Sequence, residues 1–185
     1  MLWHWTVSIT SKKITFIKLS NKNHSKRILI FTLASGILAL DQISKAWAAS
    51  HLIPGISQKW IPFLMRLELT TNTGAAFSLL HNSIFTLTVI SFIATISLIM
   101  LIFTRYISRS WQALAIALLL GGSLGNGLDR WRLGYVVDFL ALVPINFPIF
   151  NEADISINLA IICFAVDMLV FRGYKNNHDY LLGGK

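Results

Sequence analysis

Apolar residues run almost without interruption over about 28–50, 83–104, 111–128 and 155–171. A helix rises about 1.5 Å per residue, so about 20 such residues cross a hydrocarbon core about 30 Å thick. The pattern predicts four membrane-spanning helices. Between the first two runs the period changes: Phe63, Met65, Leu67 and Leu69 alternate with Arg66, Glu68 and Thr70, the signature of a half-buried strand. Pro54, Gly55 and Pro62 mark a turn region before it, Asn72 and Gly74 mark a turn after it, and 75–80 reads as a short interfacial helix. The predicted fold is therefore membrane α-helical, with four transmembrane helices, a small extracytoplasmic β-sheet and a short interfacial helix. One membrane-embedded domain covers 27–172. A basic N-terminal extension, 1–26, precedes it and reads as a disordered cytoplasmic tail; a second cytoplasmic tail, 173–185, follows. The first run also imitates a cleavable leader ending at Ala46-Trp47-Ala48. The length of the basic segment before it and the spacing of Asp41 and Lys45 favour a retained span.

Composition agrees with the pattern: 55% of residues are hydrophobic and 13% charged, against roughly 25% charged in a soluble domain. A net charge of +8 would fit nucleic acid, but the cations cluster between the apolar runs. Residues 1–27, 105–109 and 172–185 hold eleven Lys and Arg, whereas 51–83 and 129–153 hold four. The positive-inside rule then puts both termini in the cytoplasm. Asp41 and Lys45, Asn72, Asn126 to Arg130, Asp138 and Asp154 consequently gather at the outer membrane face. The single cysteine, Cys163, lies within an apolar run and supports neither an intrachain disulfide nor a multi-cysteine metal site. Asp167, also in an apolar run, reads as a helix-end partner of Arg172.

Charge beside hydrocarbon costs a few kcal/mol or more per group, so Asp129, Asp138, Glu152 and Asp154 need an explanation. His4, His24, His51, His81 and His178 all fall outside the polar cluster, and no HExxH is present, so neither metal nor cofactor is expected. Several polar residues have structural readings. Asp41 and Lys45 stand four apart and share a helix face as an interfacial ion pair. Asp129 reads as an ion pair with Arg130, Asp154 as a helix N-cap and Asn72 as a turn former. Gly121 and Gly125 read as helix-packing positions. Asp138, in YVVDFL, has no comparable structural use. The loop with Pro144 and Pro148 must leave the membrane and return, which lets Asp138 meet Asp154. Two adjacent carboxyls share a proton, one serving as base and the other as acid. A catalytic pair, a packed polar network and an ion pathway all fit these residues.

Five motifs in register go further. They are Asp41-Gln42-Ile43-Ser44-Lys45, Asn72-Thr73-Gly74-Ala75-Ala76-Phe77-Ser78, Gly125-Asn126-Gly127-Leu128-Asp129-Arg130, Val136-Val137-Asp138-Phe139 and Phe150-Asn151-Glu152-Ala153-Asp154. Together, over about 28–172, the chain resembles the bacterial lipoprotein signal peptidases, signal peptidase type II. The resemblance implies an aspartic endopeptidase of the bacterial cytoplasmic (inner) membrane with its active site at the outer face. Its substrates would be diacylglyceryl-modified prolipoproteins, cut just before the lipidated cysteine. It implies Asp138 and Asp154 as the catalytic pair, and Asp41, Lys45, Asn72, Asn126, Asp129, Arg130 and Asn151 as residues that bind substrate or shape the site. Membrane lipid is the other expected partner; nucleic acid is not, and one chain supplies both acids. Residues 1–26 extend beyond the usual family pattern, Gly127 stands where a bulky residue is usual, and Glu152 adds an acid expected to point to water. Two other classes compete: a small transporter or channel using the same acids as an ion route, and a noncatalytic assembly subunit.

Overall fold

The computed structural model describes the backbone of residues 3–74, 84–104, 107 and 109–182 and, among these, the side chains of 24–170. Among the described residues four helices are long and apolar enough to cross a membrane: α1 (Trp3–His51), α2 (Ile84–Thr104), α3 (Ser110–Leu133) and α4 (Glu152–Leu182). Three strands, β1 (Gln58–Ile61), β2 (Met65–Asn72) and β3 (Val136–Leu142), form one antiparallel sheet in the order β1-β2-β3. The interfacial helix expected at 75–80 lies outside the described residues.

Three element boundaries differ from the sequence expectation. Helix α1 begins at Trp3, so the basic segment is helical where a disordered tail was expected. Extending an existing helix adds one bond per residue fixed and needs no new nucleus, and the span itself supplies that nucleus. Helix α4 likewise continues to Leu182. Helix α3 runs on to Leu133, which puts Asn126, Asp129 and Arg130 on its last turns instead of in a following loop. It stops at Gly134, whose φ of 77° is left-handed and whose N–H donates to the Arg130 carbonyl, the usual glycine ending of a helix.

Gly134 and Tyr135 alone separate α3 from β3, a strand that an all-apolar reading of VVDFLAL does not reveal. Its β-branched Val136 and Val137 favour extended backbone, and six of its seven residues are buried. Asp138 stands opposite Thr70 of β2. The sheet is fastened to the outgoing end of α1 by a cluster of Ala48, Leu52, Leu67, Phe139 and Leu140. A second cluster, including Ile30, Ile102, Ile116 and Leu120, joins α1, α2 and α3 at the other end. There Arg27 donates to the carbonyls of Ile102 (2.9 Å) and Phe103 (2.7 Å), satisfying the last turn of α2. Asp167 pairs with Arg109 at 3.1 Å; the side chain of Arg172, its expected partner, lies outside the described residues. Cys163 is buried and free.

Helix α3 lies between α1 and α4, and its small residues permit the approach. A Cβ at Gly121 would sit 2.8 Å from the Ile37 side chain, and one at Gly122 2.6 Å from the Ala153 carbonyl oxygen. At Gly125 it would collide with the Asp41 carboxylate. Overpacking of this kind costs about 1–3 kcal/mol. Gly122→Ala therefore lowers the unfolding midpoint in detergent micelles, whereas Gly36→Ala, with nothing within 4 Å of the added carbon, leaves it unchanged or raises it.

Candidate active site

The site is assembled around a buried ammonium. Lys45 Nζ lies 2.9 Å from Asp41 Oδ2, 2.9 Å from Asp129 Oδ2 and 3.0 Å from Asn126 Oδ1, one acceptor for each of its three protons. The pairing of Asp41 with Lys45 follows from their i, i+4 spacing, but it is buried where an interfacial pair was expected. Asp129 pairs with Lys45, not with its neighbour Arg130, because consecutive helical residues point about 100° apart. Each acid also ties down another element. Asp41 Oδ1 accepts from the Ala153 N–H (3.1 Å) at the start of α4, and Asp129 Oδ2 also accepts from the Val137 N–H (3.2 Å) of β3. Gln42 Nε2 bridges Asp129 Oδ1 (2.9 Å) and Asp41 Oδ2 (3.1 Å). One cation thus fixes where α1, α3, α4 and β3 meet.

From this cluster the order passes outward through two amides. Asn126 Oδ1 accepts from Lys45 and from Asn151 Nδ2 (3.1 Å). Its Nδ2 is thereby left to donate to Asp154 Oδ1 at 2.8 Å. Asn151 Oδ1 accepts from the Asp154 N–H (3.0 Å), while Asp154 Oδ2 accepts from the Asn151 N–H (3.3 Å). This reciprocal arrangement is a capping box. The N-cap is accordingly Asn151, and Asp154 occupies the third helical position instead of the cap expected from its place before an apolar run. Asn151 Nδ2 also donates to Asp138 Oδ1 at 2.6 Å. A single residue therefore holds both carboxyls, one delivered by β3 and the other by α4.

Asn72 completes the support of Asp138. Its Oδ1 accepts from the Gly74 N–H (2.9 Å), the turn-forming role expected of it, and its Nδ2 donates to Asp138 Oδ2 (2.9 Å). Asp138 is buried. Burial first, and then the neighbouring Asp154 carboxylate, push its pKa up to about 7, against smaller opposing contributions from the Asn72 and Asn151 hydrogen bonds and Lys45. Arg130 is half-buried and donates to the carbonyls of Asn126 and Gly74, both at 3.4 Å. With five N–H donors and two long bonds, its guanidinium retains capacity for a further acceptor.

All nine residues singled out from the sequence meet here, with Asp41, Lys45, Asn126, Asp129, Asp138 and Asn151 buried. Glu152 behaves otherwise than expected: it is half-buried and accepts from Ser44 Oγ at 2.7 Å. Two positions before Asp154, it lies about 200° around the α4 axis, facing α1 and not the carboxyl pair. Gln42 and Ser44 are the site residues that the sequence reading passed over. Both belong to the Asp41–Lys45 motif, where Gln42 adjoins Asp41 and Ser44 adjoins Lys45, and that adjacency was the available signal. Among the described residues no group of three His, Cys, Asp or Glu is placed to hold a metal ion. What the arrangement offers is two carboxyls held by one residue, Asn151, and near enough for the charge of Asp154 to help raise the Asp138 pKa.

The profile of a family described as "Signal peptidase (SPase) II" matches residues 33–170. The chain is similar to a lipoprotein signal peptidase of Parasynechococcus marenigrum (strain WH8102), with 49% identity over 143 residues, 77% of this chain and 90% of that protein. A lipoprotein signal peptidase of Synechococcus sp. (strain RCC307) is 49% identical over 145 residues, covering 78% and 96%. Among solved structures, a bacterial membrane enzyme determined by the in meso method at 2.3 Å resolution superposes with a TM-score of 0.75 and 30% identity, over 80% of this chain and 91% of that one.

Proposed function

The chain belongs to the signal peptidase II family, and from that premise we propose that Asp138 and Asp154 are its catalytic pair. It is a membrane aspartic peptidase that removes signal peptides from lipoprotein precursors. The comparisons give the transporter reading no support. The observation that carries the assignment of the pair is Asn151, which donates to Asp154 through its main chain and to Asp138 through its side chain.

In the proposed reaction Asp138 enters protonated and Asp154 ionised. Asp154 takes a proton from a water held between the carboxyls, and the water oxygen attacks the scissile carbonyl carbon. Asp138 gives its proton to the carbonyl oxygen, forming a neutral tetrahedral diol. On collapse the C–N bond breaks, Asp154 returns its proton to the departing amine, and Asp138 recovers one from the diol. The pair ends as it began, with one water consumed. Asn72 and Asn151 hold Asp138, Asn126 holds Asp154, and Lys45 with Asp41 and Asp129 fixes Asn126. Arg130 receives a main-chain carbonyl of the substrate. The scissile bond is the one before a cysteine carrying a diacylglyceryl group, whose acyl chains stay in the leaflet at the active-site end. Both termini are cytoplasmic, the pair works at the outer face of the inner membrane, and a single chain is sufficient.

Asp138 keeps its proton below about 7 and loses it above. Since the acid step needs that proton, kcat/KM falls as pH rises through about 7, approaching tenfold per pH unit. A pH–rate profile flat across this region would remove Asp138 from the acid role. The function itself is tested with the purified chain in lipid vesicles, supplied with one precursor peptide in lipidated and unlipidated forms. Mass spectrometry should find a single cut, immediately before the lipidated cysteine. Cleavage elsewhere, or equal cleavage of both forms, would contradict the substrate assignment.

A further inference from the structure

Two turns at the far end of the sheet are unusually apolar for exposed chain. From Trp60 to Met65, and again from Val143 to Phe150, neither contains a charged residue. They touch: the Val143 N–H donates to the Leu64 carbonyl at 2.9 Å. Trp60, Ile61, Phe63, Leu64, Val143 and Ile145 are all exposed, Phe63 at 90%. Phe63 also has a left-handed φ of 63°, a conformation unfavourable for a residue with a Cβ. In water this backbone would present a phenyl ring to solvent at an energetic cost, with no contact to offset it. Such a patch marks an interaction surface.

We propose that these two turns are immersed in the lipid leaflet at the active-site end, as a second membrane anchor beside the four spans. The patch is continuous with a surface already in lipid: Ile43 and Trp47 are exposed on α1, and exposed Ile53 and Ile56 lead from that helix to the sheet. Lys59 and Arg66, both exposed, flank the first turn, where they reach lipid phosphates while their stems stay with the apolar residues. Arg66 is shared with Glu68 at 3.1 Å, so Lys59 is the stronger headgroup contact. Met65 and Thr70 are five residues apart on β2, and they pair with Leu142 and Asp138 on β3. Because β2 carries a bulge between Leu67 and Thr70, the distance from the anchored turn is counted on β3, where Leu142 and Asp138 are four residues apart, about 14 Å at about 3.4 Å per residue. Immersion of the turns therefore holds the sheet along the membrane and sets the depth of Asp138.

The experiment uses the full chain with Cys163→Ala, carrying a nitroxide at Phe63→Cys or, separately, at Leu64→Cys. It is reconstituted in vesicles of phosphatidylethanolamine and phosphatidylglycerol. Immersion predicts at both positions that collisions with dissolved oxygen exceed those with a water-soluble nickel chelate by at least several-fold. Greater access for the chelate than for oxygen overturns the proposal. Dipolar broadening between labels on separate molecules also overturns it, since the patch would then be a contact between copies of the chain.

Discussion

Asp138→Asn lowers the rate of signal-peptide release by roughly 10²- to 10⁴-fold, the usual contribution of a positioned acid or base, while the protein stays folded. The carboxamide matches the carboxylate in shape but has no proton to exchange with water. It also turns one NH2 towards a donor, either Asn72 Nδ2 at 2.9 Å or Asn151 Nδ2 at 2.6 Å, so one of the two bonds is lost. That loss is worth about 1 kcal/mol, too little to unfold the bundle. The decline belongs in kcat, with KM little changed, because the interaction removed acts in the transition state. Glu152→Gln is the matched control: its contact is Ser44 at 2.7 Å, and its release rate stays within a few-fold of the parent. Rates on a lipidated precursor, with unfolding midpoints for each variant, check both expectations.

Lys45→Met produces the largest loss of stability. It keeps the length of the side chain but strands Asp41 and Asp129, each 2.9 Å from the missing ammonium. Breaking a buried ion pair by deleting one partner costs about 3–5 kcal/mol, whereas neutralising the whole set is often tolerated. The unfolding midpoint therefore falls steeply in the single variant and recovers when Asp41→Asn and Asp129→Asn are added. Activity does not recover with it. Without the ammonium, Asn126 loses the 3.0 Å bond that fixes its amide and no longer reliably presents Nδ2 to Asp154. Thermal unfolding and precursor cleavage on the same preparations separate the two roles; recovery of both together would make Lys45 purely structural.

The four spans and their polar end were legible because hydrocarbon length and the cost of charge act residue by residue. The Asp41–Lys45 contact was legible because an i, i+4 spacing is a local property of a helix. Partners chosen by tertiary packing were not. Asp129 turns to Lys45 on another helix, although its neighbour Arg130 is the natural choice from spacing, and Asp167 meets Arg109, which lies far from it in sequence. Strand β3 was hidden because it is buried on both faces, so VVDFLAL shows no alternation. Strand β1 was hidden for the opposite reason, all four residues being exposed. The capping box could have been read from Asn151-Glu152-Ala153-Asp154, where an N-cap residue precedes an acid by three positions; that would have started α4 one residue after Asn151. Joining the motifs to a peptidase came from resemblance, since spacing alone left a catalytic pair, a polar network and an ion route open.

The proposed pair, Asp138 and Asp154, is expected to act as one unit on one water. The most direct measurement is a double-mutant cycle: release rates on a single lipidated precursor for the parent chain, Asp138→Asn, Asp154→Asn and the double variant, in vesicles of one composition. Residues that act as a unit are strongly non-additive, so the double variant should be no slower than the slower single variant. Effects that multiply, or near-parental cleavage by either single variant, would contradict the account.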